Sequence, residues 1–232
     1  MSVFLLLVIS QVTPCPTGWE PVDGDACLKR GQTPGVVVYF HGMLAPDPKA
    51  FGRELGFITP SASKNGVSVL AMRGVPGLCD WATEYLTWWC WPTVKERVSE
   101  RRAIVERVKR ALETASLRLD RTLSRPVFAG YSNGGYFTSL LMDDDATVEA
   151  SAFVVLHAGL VSGVAVSAKP KPTLLIAAEG DRIQRPTMES FRTALTARAW
   201  SPAFVLRPKE HPLELEDFEQ LARFVTRIRW RP

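Results

Sequence analysis

The feature that most constrains the fold is an alternation of two periodicities along the chain. Continuous apolar, β-branched or aromatic runs at 36–40 (VVVYF), 67–72 (VSVLAM), 126–130 (PVFAG), 152–156 (AFVVL), 173–177 (TLLIA) and 203–206 (AFVL) are separated by amphipathic stretches. An apolar run with no polar alternation suits a strand covered on both faces. Thr93 and Glu96 have the spacing of a capping box, and Val94, Val98, Val105, Val108 and Leu112 then share one helical stripe. A second helix is expected over about 186–200 and a third over about 213–230, the latter with Leu215, Phe218, Leu221, Val225 and Ile228 in a stripe. Strands alternating with helices predict an α/β architecture: a mainly parallel sheet flanked by helices, with active residues beyond the carboxyl ends of the strands.

Composition agrees with a globular domain. Of 232 residues 46% are hydrophobic and 22% charged, enough apolar material for one sizeable core. The division expected is an N-terminal segment over 1–30 and one folded domain over 31–232. Lys and Arg number 28 against 24 Asp and Glu, and along 95–110 the two signs interleave. Nucleic-acid binding needs a clustered basic face, so no nucleic-acid partner is expected.

Residues 3–9 (VFLLLVI) are an uncharged run of seven, too short for the ~20 residues of a bilayer-spanning helix. They read either as the core of a signal peptide or as a buried first strand. Of four cysteines, Cys15 and Cys27 bracket one short segment and Cys79 and Cys90 another. Two short-range pairs suit disulfides in an oxidising compartment, whereas zinc is disfavoured because no C-x-x-C spacing occurs. The expected location is therefore secreted or periplasmic, without stable membrane insertion.

The chemistry is carried by Gly130-Tyr131-Ser132-Asn133-Gly134, a Gly-x-Ser-x-Gly motif placed directly after one strand-like run and directly before the helix-like GYFTSLLM. A serine on so sharp a strand-to-helix turn needs glycines beside it, and the turn lifts its Oγ above the sheet, in front of a helix N-terminus. In this the sequence resembles the α/β-hydrolase family, in particular compact, lidless serine esterases such as secreted feruloyl, acetylxylan and polyhydroxyalkanoate esterases.

The resemblance implies roles residue by residue. Ser132 is the nucleophile, and the backbone N–H groups of Met43, after His41-Gly42, and of Asn133 form the oxyanion hole. Asp181 is the acid, matching the family better than Glu179, and His211 is the base. Of the other histidines, His41 belongs to the oxyanion loop and His157 reads as a satisfied core imidazole. No cofactor and no metal are implied. The substrate expected is a small-molecule or polymeric ester. Between Leu160 and Pro172 there is little room for a lid. Trp81, Tyr85, Trp88, Trp89 and Trp91 read either as a substrate rim or as a disulfide-pinned minicore. A peptidase or thioesterase of the same fold, or a catalytically silent binding relative, are the alternatives.

Overall fold

The computed structural model describes residues 15–123, 125–142, 149–161, 169–208 and 213–228, so the apolar run 3–9 lies outside the described residues. Among the described residues eight strands form one sheet in the order β1-β2-β4-β3-β5-β6-β7-β8. They are β1 (Glu20–Val22), β2 (Ala26–Lys29), β3 (Val36–Phe40), β4 (Ser68–Met72), β5 (Val127–Tyr131), β6 (Ala152–Leu156), β7 (Thr173–Ala178) and β8 (Ala203–Arg207). From β4 to β8 every pairing is parallel. The order reverses at β3, whose neighbours are β4 on one side and β5 on the other. A crevice opens outside the carboxyl ends of strands at such a switch point, which places the best ligand position between the loops after β3 and β5.

The cysteine-bracketed extension is part of this sheet. β1 and β2 form an antiparallel hairpin that pairs with β4, Cys27 opposite Ala71. Cys15 is bonded to Cys27 and Cys79 to Cys90, with Cα separations of 5.7 and 5.8 Å. Among the described residues no helix is long and apolar enough to cross a membrane.

Among the described residues five α-helices cover the sheet: α1 (Ala50–Asn65), α2 (Val98–Leu119), α3 (Asn133–Leu141), α4 (Gln184–Thr196) and α5 (Leu215–Thr226). One core contains Val105 and Val108 of α2, Phe137 of α3 and Phe191 of α4. The other, on the opposite face, contains Phe51, Leu55 and Ile58 of α1 with Phe218 and Leu221 of α5. Two departures from the sequence reading stand out. The long helix starts at Val98, not at the Thr93–Glu96 box, its N-cap Arg97 makes no side-chain cap bond, and Val94 is exposed. Helix α1 was hidden by Gly52, Gly56 and Pro60. Those residues cost about 5 kcal/mol together in helix propensity. Burying Phe51, Leu55 and Ile58 returns roughly 1.5–3 kcal/mol each, so packing outweighs propensity.

Candidate active site

Ser132 stands between β5 and α3 with φ +48° and ψ −115°, a conformation that costs an L-residue about 1–3 kcal/mol. It persists because the turn is fixed on every side. The Ser132 N–H donates to the Leu156 carbonyl at 2.9 Å, and its own carbonyl accepts the Tyr136 N–H at 3.0 Å. The flanking glycines are required by contact: a Cβ on Gly130 would lie 2.1 Å from the Gly134 carbonyl oxygen, and one on Gly134 would lie 2.2 Å from that of Phe40. Ser132 is half-buried, and Asn133, the first residue of α3, is buried.

The loop after β3 approaches this turn. A Cβ on Gly42 would fall 2.8 Å from the Tyr131 ring and 3.7 Å from the Ser132 Cβ, so Met43 follows a residue packed directly against the Ser132 turn. His41 is buried, its Nε2 accepts the Gly74 N–H at 2.8 Å, and its Nδ1 lies against the Gly42 carbonyl. Burial, assisted by the charges of Arg73 and Arg107, pushes the His41 pKa down to about 3, so it is neutral and holds backbone.

Trp91 ties the two loops together. Its indole N–H donates to the His41 carbonyl at 2.8 Å, and its backbone N–H donates to the Asn133 side-chain oxygen at 2.8 Å. The ring is wholly buried, stacked on Phe137 and edge-on to Phe40. The rim expectation therefore fails for Trp91, which is a core residue. Trp81 is 55% exposed, while Tyr85, Trp88 and Trp89 are half-buried. Trp89 lines a cleft of about 450 Å³ together with Leu44, Phe51, Arg73, Pro76 and Leu86. There the Arg73 guanidinium lies between the Phe51 and Trp89 rings, 5.0 and 4.8 Å from their centroids.

Asp181 follows β7 on the same edge and is 8% exposed, whereas Glu179 is exposed. The Asp181 Oδ1 accepts the N–H groups of Ile183 and Gln184 at 3.0 and 2.8 Å, which fixes the carboxylate against the start of α4. His211 lies outside the described residues. The residues on either side of that segment are held by a buried polar group. Arg207, at the end of β8, contacts Asp217 Oδ1 at 2.6 Å through Nε, Glu214 at 2.9 Å and the His157 Nε2 at 3.0 Å. His157, Arg207 and Asp217 are all at most 2% exposed. Tyr131 reaches the same place through a hydrogen bond between its hydroxyl and the Leu213 backbone.

A further buried acid, besides Asp217, is not singled out by the sequence. Glu54, on α1, is 8% exposed, and its Oε1 accepts the Tyr39 hydroxyl at 2.6 Å and the Gly42 N–H at 3.2 Å. Burial pushes its pKa up to about 7, against the opposing effect of those two bonds. With Gly52, Gly56 and Pro60 inside it, the stretch 50–65 does not read as a helix, so an acid in its apolar stripe carries no sequence signal. Among the described residues no group of His, Cys, Asp and Glu could hold a metal ion.

No protein-family model matches the chain, and no curated protein matches it. Solved structures do. A carboxylesterase from Mesorhizobium loti is 19% identical with a TM-score of 0.64, over 90% of this chain and 99% of that one. The Bacillus cereus carboxylesterase is 17% identical with a TM-score of 0.63, over 87% and 92%. Carboxyl esterase 2 of the mycorrhizal fungus Tuber melanosporum is 18% identical with a TM-score of 0.59, over 88% and 82%. With its switch-point sheet and strand-to-helix serine turn, the chain has the α/β-hydrolase fold.

Proposed function

We propose that this protein is an exported serine esterase that cleaves carboxylic esters through an acyl-enzyme. The observation that carries the reading is the strained Ser132 turn, built between β5 and α3 at the point where the sheet order reverses. Backbone strain of this size clusters at functional sites. The esterases that share the fold support the ester substrate, and the two disulfides support export.

In this reading His211 takes the Ser132 proton as Oγ attacks the ester carbonyl. Asp181 orients the imidazole and balances the charge it gains. The N–H groups of Met43 and Asn133 receive the oxyanion, where one donor is worth about 10²–10³ in rate. His211 then protonates the leaving alcohol, and water attacks the acyl-enzyme with His211 again accepting a proton. Asp181 suits this task because its fixed Oδ1 leaves the carboxylate one orientation in which to meet an imidazole.

Fluorophosphonate labelling with a panel of p-nitrophenyl esters tests the reading. The wild-type protein should label and turn over, and Ser132→Ala should lose both while keeping its fold. His211→Ala should be equally inactive, and Asp181→Asn should be more impaired than Glu179→Gln. Labelling that survives in Ser132→Ala rejects the nucleophile, and a wild-type protein that neither labels nor hydrolyses any ester favours a silent binding relative.

A further inference from the structure

We infer that Glu54 is a positioning residue for the oxyanion loop: by accepting the Gly42 N–H it fixes the His41–Gly42 peptide, the pivot from which the next peptide presents the Met43 N–H. The inference rests on the esterase reading and adds to it a residue outside the triad and the oxyanion donors.

A buried glutamate between helix and sheet is commonly a structural tie, and the bond to Tyr39, on β3, is one. The bond to Gly42 is different in kind, because it lands on the backbone of the loop itself. Gly42 is gripped between Glu54 and the Tyr131 ring, whose contact leaves no space for a Cβ. On one side of that grip His41 is fixed by the Gly74 N–H and by the Trp91 indole on its carbonyl. On the other side, Leu44 exchanges two backbone hydrogen bonds with Trp89, at 3.1 and 2.9 Å. Met43 thus lies between two fixed points, and Glu54 supplies one of them. The peptide that carries the Met43 N–H has its Gly42 carbonyl against His41 Nδ1, so without Glu54 the His41–Gly42 peptide and that contact could shift together, and an oxyanion donor helps only when it already points at the developing charge.

Both donors converge on one oxygen, Oε1, so the task needs an acceptor and not a charge. An amide oxygen performs it equally well. That separates positioning from a structural ion, because Glu54→Gln should work and an apolar residue of similar shape should not.

The test compares wild type, Glu54→Gln and Glu54→Leu, with active sites counted by fluorophosphonate so that unfolded protein is excluded. Per active site, Glu54→Gln should keep kcat within about 3-fold. Glu54→Leu should lose about 30–100-fold in kcat with KM within 2-fold, since the lost contact acts in the transition state. The inhibition constant of a boronic acid analogue of the tetrahedral state should rise by the same factor as kcat falls. If Glu54→Leu does not fold, Glu54→Met, closer to Glu in shape, carries the same comparison. An apolar variant as active as wild type overturns the inference, as does a loss that Glu54→Gln shares or that appears in KM. Those results leave the esterase reading intact; a wild-type protein inert to every ester and to the label overturns both together.

Discussion

Two buried polar clusters flank the site, and they handle their carboxylates in opposite ways. Beneath the loop after β3, Glu54 meets neutral donors, the Tyr39 hydroxyl and the Gly42 N–H. Beside the segment 209–212, Asp217 and Glu214 share the Arg207 guanidinium, with His157 against it. The first arrangement lets burial dominate, and the acid titrates near neutrality, at about 7. The second is an ion network that loses its balance when one member is removed. The contrast shows that a buried acid can serve as a local hydrogen-bond acceptor or as half of a charge pair, and that the two differ in what breaks them.

The largest effect should come from Arg207→Met, which leaves Asp217 and Glu214 without the guanidinium. Breaking a buried pair from one side costs about 3–5 kcal/mol, or roughly 10 °C in Tm for a chain of this size. Adding Asp217→Leu should recover much of that loss; a double variant no more stable than Arg207→Met would show that packing, and not charge balance, is what Arg207 provides.

A smaller effect distinguishes the other cluster by its pH dependence. Burial depresses the His41 pKa to about 3, so as pH falls below 6.5 the unfolded chain gains a proton that the folded one refuses, and stability falls. Burial raises the Glu54 pKa to about 7 from 4.5, so its contribution is complete at low pH and is lost as pH rises toward 7. Between pH 4.5 and 6.5 the two oppose each other. Glu54→Gln removes one of them, and across that window the variant should gain about 2–3 kcal/mol relative to wild type, at about 1.4 kcal/mol per pH unit. Parallel Tm curves for the two proteins would refute the neutral-donor account of Glu54. Tyr39 and Tyr131, the hydroxyls nearest Glu54, are pushed up by burial and stay neutral across that range, and the charges that act on His41 are those of Arg73 and Arg107.

The smallest effect is that of Tyr39→Phe, which deletes one of the two donors. It should cost about 1–2 kcal/mol at pH 8, where the buried carboxylate needs its partners, and less at pH 5, where Glu54 is protonated. An equal loss at both pH values would assign the cost to packing of the Tyr39 ring on Phe218 instead.

The sequence revealed the first cluster's surroundings better than the cluster itself. Strands β3 to β7 carry unmistakable apolar runs, and Gly130 to Gly134 declare the turn, because strands covered on both faces and glycines pressed on backbone leave local signatures; the run of β8 reads the same, but that strand is a sheet edge and is largely not buried. β1 and β2 escaped notice because three or four residues are too few for a period. Helix α1 escaped because what holds it is distant: Ile58 and Phe51 pack against the sheet, and the Ser61 hydroxyl donates to the Phe218 carbonyl 157 residues away. With α1 unseen, Glu54 had no place. Thr93 misled for the converse reason: a local capping pattern was present, but the chain up to Arg97 is committed to the segment beyond the Cys79–Cys90 bond, where Trp91 is locked beneath His41.

With Ser132 as the nucleophile proposed above, its backbone sets thermal endurance and catalysis in conflict under selection. At φ +48° and ψ −115° a glycine would be more comfortable than any other residue. A library screened for heat resistance alone should therefore accumulate glycine at position 132, and its best survivors would be inert. Any effort to harden this protein must carry a selection for turnover at every round, since the residue that weakens the fold at this turn is the one that gives the turn its purpose.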